Sequence, residues 1–492
     1  MTNTDGVGNS DVKLGCDAFV TDQVMGQVVA AARQQYESLF PLPLVPFERL
    51  MLIDDTAELP MTYLIEITFR GQLDQAAFQA AYQTAALRHP LLVCTVHHET
   101  LVPEWHLSDA PDLAVRWQNA SDRRRSAASD DVARWPPAGT AISLDRQVGI
   151  QCWARREAHH TRVMLQFHHA ATDGLGARAF IIDLMTGYAR LMGADQPGPR
   201  WPRLDYQPLR ERAEFAAVVE SEGVSRTSTW RKITDAYHFH WNQRPSPLAL
   251  PDVDSGDNVP GPYVEPLSYL FSLDDTQRFV ARAQRQRVWP NDVAIGLWFE
   301  TLASWNRQHG GRRQRKWLRI VMPTALRANR DRRLTAANRL SYSFLARTPG
   351  QCADRKLLIS GVAEETKYLK QALPSLDFLA GVSGALQIPG LLAGIARWQG
   401  CQATAVLTNL GETTRQVRKR FPRQDDYSVV GDVVLESVMA VPPLRRHTHA
   451  GLGLCLCNGR LGVSLRCSAR VGLAGSRALL DDYIQAWQDW GA

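Results

Sequence analysis

The sequence contains three adjacent His-His pairs, which begin at positions 97, 159 and 168. Only the last, His168-His169, is followed at close spacing by an acidic residue and a glycine, Asp173 and Gly174. An imidazole has an ordinary pKa of about 6.5, which suits a general base at neutral pH. A single His pair is usually structural, but this spacing favours a chemical role for His168-His169.

The motif lies where a predicted strand meets a predicted helix. Thr161 to His169 alternates like a strand, and from Gly174 apolar residues recur every three or four positions, which predicts a helix. Backbone donors and a helix N-terminus converge at such a junction. His169 would turn one ring nitrogen toward its own backbone and present the other to a cleft. Asp173 would cap the helix or pair with a cation and so brace the loop, and Gly174 would permit a close turn.

Metal binding is the weakest alternative interpretation of the histidine pairs. Adjacent residues on a strand point to opposite faces, so a pair cannot easily ligate one ion. The eight cysteines include no C-x-x-C pair. We therefore predict no metal site and reduced thiols, as in a cytoplasmic protein.

Composition excludes several classes of protein. The 492 residues carry 56 Lys and Arg against 50 Asp and Glu, a formal charge of +6. This mild excess suits a phosphorylated co-substrate but not a dedicated nucleic-acid binder. The first fifteen residues lack the basic and apolar regions of a secretory signal, and no apolar run reaches 18 residues. We therefore expect neither a signal peptide nor a membrane span.

The organisation of the chain predicts an α/β protein with two halves. A β-branched run, Met61 to Arg70, reads as a strand, and it precedes a helix that opens at Asp74. Prolines crowd the middle of the chain, which indicates a connection between domains. We predict a flexible N-terminus over residues 1–25, a first domain over 26–195, a connector over 196–265 and a second domain over 266–492.

Three further local predictions can be compared with the structure. Leu91 to His97 and Ser428 to Val441 read as strands, because they are rich in apolar and β-branched residues. Asn291 precedes a helical pattern and is predicted to cap that helix.

His168 to Gly174 resembles the HHxxxDG signature of the condensation-domain and chloramphenicol-acetyltransferase-like superfamily. Other stretches agree with the family in order. They are Gly71 to Asp74, Arg88 to Leu92, Asn291 to Val293, Pro323 to Arg327, Asn338 to Ser341, and Thr408 to Gly411. Ala337 stands where the family usually has glycine.

The resemblance implies two similar domains, each a mixed, mostly antiparallel sheet flanked by helices, arranged as a V around a central tunnel. It places His168, His169, Asp173 and Gly174 in the catalytic motif, with His169 as the base. It also implies a structural salt bridge from Asp173, for which Arg327 is the candidate partner. The remaining implied site residues, in the acceptor or oxyanion region, are Asn409, Thr408 and Ser341.

The function implied is that of a free-standing acyltransferase of the HHxxxDG type. It would move an acyl group from a thioester to a hydroxyl or amine. The co-substrate would be acyl-CoA or a phosphopantetheine thioester, either free or on an acyl carrier protein, with no permanently bound cofactor. A peptide-forming condensation protein and an inactive binding protein of the same fold are the alternatives. Two basic clusters, at residues 312–316 and 415–423, are candidates to attract phosphates or a carrier protein, although solvated loops explain them equally.

Overall fold

The structure is a computed structural model that describes residues 25–119, 141–193, 198–221, 239, 242–251, 263–310, 317–398 and 400–492. Most of the predicted flexible N-terminus, parts of the predicted connector and the basic cluster at 312–316 lie outside these residues. The strands of the described chain form three sheets, and helices pack around them.

The largest sheet has seven strands and carries the histidine motif. Its order is β12 (Arg423–Gln424), β13 (Tyr427–Val430), β14 (Val433–Val441), β2 (Thr62–Arg70), β7 (His160–His168), β6 (Ile150–Arg156) and β5 (Val115–Asn119). All its neighbouring strands are antiparallel except β5 and β6. Strand β7 is an inner strand that pairs with β2 on one side and β6 on the other, so the position of the motif at its end is well fixed.

The second sheet has six strands and belongs to the C-terminal half. Its order is β10 (Leu340–Arg347), β9 (Leu318–Ala325), β11 (Ala405–Glu412), β15 (Ala450–Cys457), β16 (Arg460–Cys467) and β8 (Leu267–Leu270). Strand β11 runs parallel to both of its neighbours. A small third sheet is formed by β1 (Leu42–Pro43), β4 (Glu104–Leu107) and β3 (Cys94–His97).

The helices flank these sheets. They are α1 (residues 25–36), α2 (Pro46–Asp54), α3 (Gln75–Leu87), α4 (Gly174–Met192), α5 (Ala216–Ser221), α6 (Leu273–Arg285), α7 (Pro290–His309), α8 (Arg355–Ala372), α9 (Pro374–Leu386), α10 (Leu391–Trp398), α11 (Arg415–Arg418) and α12 (Gly472–Gly491). Within the described residues, no single helix is long and apolar enough to cross a membrane, and the apolar pair α9 and α10 is bent by 116° at its break.

One strand of the C-terminal half crosses into the N-terminal sheet. Strand β14 pairs with β2, from Val434 opposite Arg70 to Val441 opposite Leu64. The two lobes therefore share a sheet, although the predicted boundary at residue 266 assigns β12–β14 to the second domain. The predicted domain bounds stay a prediction. A division of the molecule into two lobes must assign β14 to the N-terminal sheet, although this strand belongs to the C-terminal half of the chain.

Three local predictions are corrected by the structure. The first part of the segment 91–97 is a 3-10 turn over Pro90–Val93, because proline favours the start of a helical turn, and the strand begins only at Cys94. Residues 428–441 form two strands rather than one, with a turn at Gly431. Helix α7 begins at Pro290, one residue before Asn291, and its cap is Trp289, whose backbone N–H donates to Asp292.

Candidate functional site

The imidazole of His169 lies at the end of β7, in the wall of a cavity between the lobes. The backbone N–H of His169 donates to the carbonyl of Met61 at 2.8 Å, which extends the β2–β7 pairing past His168. The residue is 6% exposed, and its ring lies 5.0 Å from the ring of Tyr63. Its Nδ1 atom is buried without an aligned hydrogen bond to any described residue. Nε2 is therefore the ring nitrogen available to the cavity.

Burial lowers the pKa of His169 below its ordinary value, because removing the ring from water disfavours the charged form. Interactions with the backbone of His169 and Thr172 and with the Asp173 carboxylate raise the pKa, but they do not outweigh burial. The imidazole is therefore held neutral at physiological pH, which is the form that accepts a proton.

His168 occupies the opposite side of the strand end and does not line the cavity. It is fully buried, and its Nδ1 accepts a hydrogen bond from the backbone of Ala170 at 3.1 Å. This bond leaves Nε2 as the protonated nitrogen, and it lies 3.6 Å from a carboxylate oxygen of Asp55. The geometry gives His168 a positioning role in the turn, not contact with a substrate.

Asp173 joins three elements at the start of α4. One carboxylate oxygen accepts from the backbone of Gly176 at 2.7 Å, which caps the helix, and from Nη2 of Arg327 at 2.8 Å. The other oxygen accepts from the backbone of Arg339 at 2.8 Å. Asp173 is 1% exposed, so these partners replace its hydration completely. The structure thus brings together Asp173 and the candidate partner Arg327.

Hydrogen bonds from the segment 336–339 connect the second lobe to the histidine motif. Asn338 donates its side-chain amide to the carbonyl of His169 at 2.6 Å. The carbonyl of Ala337 accepts from Arg327 at 2.8 Å and from the backbone of Asp173 at 3.3 Å. The backbone of Ala336 donates to Nδ1 of the buried His89 at 2.8 Å. These bonds fix the backbone of His169 from the opposite lobe.

Close packing at this junction gives a testable prediction at Gly176. A Cβ atom there would clash with the Thr172 hydroxyl and lie 2.9 Å from the backbone nitrogen of Ala337. We expect Gly176→Ala to lower the free energy of unfolding by about 1–3 kcal/mol, because the backbone of the segment 336–339 would have to move to make room for the added methyl group. Denaturant unfolding measures the effect.

The matched control is Gly381→Ala in helix α9. A Cβ atom there meets nothing within 4 Å. The same substitution should therefore stabilise the helix by about 0.5–1 kcal/mol, because alanine loses less backbone entropy than glycine. Equal effects of the two substitutions would contradict the packing described for Gly176.

The cavity holds about 630 Å³ of empty space, including its mouth. Its polar or charged lining residues are His169, Thr408, Arg445, Tyr63 and Tyr342, and Gly174 lies at its edge. The rest of the described lining is apolar: Ile65, Val321, Pro323, Leu340, Val406, Leu410, Ala440, Val441, Pro442 and Pro443. A histidine beside an apolar cleft with few polar groups is typical of a small-molecule site.

The cavity depends on the strand exchange between the lobes. Ala440 and Val441 belong to β14 and lie beside Ile65 of β2, so the crossing strand builds one wall. Gly174 lies where α4 approaches β11 so closely that an added Cβ would clash with Leu410. A larger residue at 174 would displace the Leu410 side chain, which also lines the cavity.

Two of the residues predicted for the acceptor or oxyanion region do not line the cavity. Asn409 is exposed and donates to Asn291 at 2.8 Å, because neighbouring residues of β11 alternate in direction and Thr408 and Leu410 take the cavity side. Ser341 is buried and donates to the carbonyl of Ser375 at 2.7 Å, which anchors helix α9. The structure thus places both residues outside the cavity wall, and their role in the acceptor or oxyanion region stays a prediction.

The sequence reasoning missed Tyr63, Tyr342 and Arg445 in the cavity wall. Alternation within the two strands predicts that Tyr63 and Tyr342 are buried, but it does not show which lobe they face. Arg445 follows a Pro442-Pro443 pair in a loop, where no periodicity applies. Among the described residues, no cluster of three or more His, Cys, Asp or Glu is arranged to hold a metal ion.

No family model matches the chain. An uncharacterized protein of Mycobacterium tuberculosis, found in two strains, is 24% identical over 350 residues. The similarity covers 70% of this chain and 75% of that protein.

Several solved structures share the fold over most of their length. The first condensation domain of the calcium-dependent antibiotic synthetase, in complex with a substrate analogue, superposes with a TM-score of 0.63 at 15% identity, covering 92% of this chain and 96% of that one. Polyketide synthase associated protein 5 from M. tuberculosis has a TM-score of 0.57 at 14% identity, covering 92% and 98%. The epimerization domain of tyrocidine synthetase B has 0.57 at 14% identity, covering 92% and 97%.

These likenesses define the class of fold. The chain has the two-lobed α/β fold of these condensation and epimerization domains. The predicted fold class is confirmed. At identities of 14–15% the likeness concerns the fold, and the chemistry must be argued from the site.

Proposed function

We propose that this protein is an acyltransferase that moves an acyl group from a thioester to a hydroxyl or amine, with His169 as the general base. The observation that carries the proposal is the position of the His169 imidazole in the wall of a largely apolar cavity between the lobes, where burial lowers its pKa. A general base in a largely apolar cavity suits a substrate that contains an activated carbonyl group and an apolar chain.

In the proposed reaction, Nε2 of His169 takes the proton of the acceptor as its oxygen or nitrogen bonds to the thioester carbonyl carbon. The carbonyl oxygen then carries the negative charge of a tetrahedral intermediate. When the carbon–sulfur bond breaks, its electron pair goes to sulfur, and the imidazolium returns the proton to the thiolate. The products are an ester or amide and a free thiol.

Thr408 is the candidate donor to the oxyanion. It lines the cavity with His169, whereas the hydroxyls of Tyr63 and Tyr342 already contact the carbonyl of Asp173 and the sulfur of Met51. One such donor contributes about 2.7–4 kcal/mol in enzymes where it has been removed. Asp173 and Arg327 contact neither cavity nor substrate in this scheme, and they hold the motif in place.

The donor is acyl-CoA or an acyl group on the phosphopantetheine of a carrier protein, and no resident cofactor is needed. Arg415 and Lys419 follow β11 in the chain, and their exposed side chains offer an anionic partner a surface. We place the protein in the cytoplasm. The cysteines of the described residues are all free thiols, which suits a reducing compartment.

The pH dependence follows from the state of His169. The base must be neutral, and burial lowers its pKa, so it stays neutral below the pH at which an exposed histidine would be half charged. With an alcohol acceptor, we expect kcat/KM to fall on the acid side with a midpoint below pH 6.5. A midpoint above pH 7 would contradict the environment assigned to this ring. His159→Ala, at an exposed turn, should leave the profile unchanged.

The experiment that tests the function is a mass-spectrometric screen. The purified protein is incubated with acyl-CoAs of different chain lengths and with mixed alcohols and amines, and the products are compared with those of His169→Ala. We expect ester or amide products with the wild type alone. The absence of product across the panel, with acyl carrier proteins included as donors, would overturn the proposal.

A peptide-forming condensation protein is the second candidate, favoured by the likeness to condensation domains of peptide synthetases. It would take both donor and acceptor from carrier proteins. Pulldown with aminoacylated carrier protein, compared with turnover of free acyl-CoA, separates the two candidates. A binding protein without activity would give neither result.

A further inference from the structure

A buried ion pair separates the cavity of His169 from a second cavity. Arg445 and Val321 line both spaces, so together they form the partition. The second cavity holds about 390 Å³ of empty space and is also lined by Asp54, Gln402 and Phe344.

Arg445 is held firmly in this partition. Its Nη2 lies 2.6 Å from a carboxylate oxygen of Asp54, the last residue of α2, and its Nη1 donates to Gln402 at 3.2 Å. The guanidinium also lies over the ring of Tyr342, 5.4 Å from its centre. The side chains of Arg445 and Asp54 are 13% and 10% exposed, so the pair is largely removed from water.

Arg445 keeps its positive charge in this setting. Burial would lower the pKa of Arg445, but the Asp54 carboxylate and the neighbouring Tyr342 outweigh it, and the pKa is raised. The proposed chemistry needs neither charge of this pair, and Arg445 shares the cavity wall with apolar residues such as Val321 and Val441. The position of Arg445 is the important feature, because its guanidinium lies where the apolar part of the His169 cavity ends.

We propose that the Arg445–Asp54 ion pair, with Val321, is the end wall of an alkyl-chain pocket and sets the longest chain that the enzyme accepts. This inference rests on the proposed function. An alkyl chain that enters past His169 would pack on Ile65, Val406 and Val441 until it meets the guanidinium. A further methylene would have to displace a paired guanidinium or lie against it.

The length limit has an energetic reason, which is the contrast between the apolar lining of the pocket and the charged end wall. Each methylene that fits an apolar pocket is stabilised by removal from water, and one that does not fit changes discrimination by about 10- to 200-fold. Breaking a buried ion pair leaves an uncompensated charge, so the wall does not yield to a chain that is too long. Removing both charged side chains would instead join the two cavities.

The test compares chain-length profiles. The double variant Asp54→Ala/Arg445→Ala removes both charges together, and the control Arg423→Ala/Asp426→Ala removes an exposed ion pair. One arm varies the acyl chain with a fixed acceptor, and the other varies an n-alkanol acceptor with a fixed acyl-CoA. In one of the two arms, we expect kcat/KM for the first chain too long for the wild type to rise at least tenfold. The control should keep the chain-length profile of the wild type.

Identical profiles for the double variant and the wild type in both arms would overturn the inference. Val321→Ala opens the same partition without touching a charge, and it carries the test if the double variant does not fold. We expect it to shift the length limit in the same direction by a smaller amount.

Binding separates this inference from the proposed function. Displacement of a fluorescent apolar probe by n-alkanols of increasing length needs no turnover. Affinity for the wild type should rise with length and then stop rising, whereas it should continue to rise for the opened variants. If binding shows a length limit but no acyl transfer occurs, the inference about the Arg445–Asp54 wall stands and the proposed acyltransferase function is contradicted. If acyl transfer occurs but binding shows no length limit, the proposed function stands and the inference about the wall is contradicted.

Discussion

His169→Ala is expected to lose at least 10²-fold in kcat/KM for acyl transfer while keeping the fold. General base catalysis contributes about 10²–10⁴-fold, and among the described lining residues of the cavity His169 is the one imidazole. The substitution leaves the strand end in place, because the bonds that fix residue 169 run through its backbone N–H and carbonyl, to Met61 and Asn338. The far-ultraviolet circular dichroism and the melting temperature should therefore change little.

The control for this variant is His159→Ala, which removes an exposed imidazole from the turn before β7. It should retain full activity. Transfer by His169→Ala within a few-fold of the wild type would show that another group takes the proton. A large loss of stability would show instead that the ring is part of the core.

Asp173→Ala is expected to lower the free energy of unfolding by about 3–5 kcal/mol, because it leaves the buried Arg327 guanidinium without its carboxylate. The same change removes the cap of α4 and an acceptor for the backbone of Arg339. Activity should fall with stability, since these bonds align the segment that holds His169. Denaturant unfolding, monitored by tryptophan fluorescence, measures the change.

The matched control is Asp354→Ala. Asp354 caps helix α8 by accepting from Leu357 at 3.0 Å, but it is exposed and makes no ion pair among the described contacts. Its removal should cost about 1 kcal/mol, the usual effect of an N-cap. If Asp173→Ala cost no more than Asp354→Ala, the ion pair with Arg327 would contribute nothing to stability.

Local patterns predicted the elements around the motif well. The alternation of residues 161–169 and the helical period from Gly174 correspond to β7 and α4 within one residue. Both patterns arise from near neighbours, which a sequence records directly. The crossing of β14 into the first sheet could not be predicted, because Val438 pairs with Ile67 across hundreds of residues and apolar strands do not specify their partner.

The candidate site was predictable to a similar extent. The motif residues His169 and Gly174 do line one cavity, and Asp173 does contact Arg327. Asn409 and Ser341 lie outside the cavity lining, since a one-residue step along a strand reverses the side chain, and a motif does not specify which residue faces the cavity. Arg445 lies in a loop, so only the assembled lobes reveal its position.

The central claim is that an acceptor reaches Nε2 of His169 inside the cavity between the lobes. A crystal structure of the protein with a bound acceptor, selected from the product screen, tests this claim most directly. The account predicts that the acceptor's oxygen or nitrogen lies about 2.6–3.2 Å from Nε2, or one water molecule away from it. An acceptor bound outside the cavity, with its nucleophile beyond reach of this nitrogen, would contradict it.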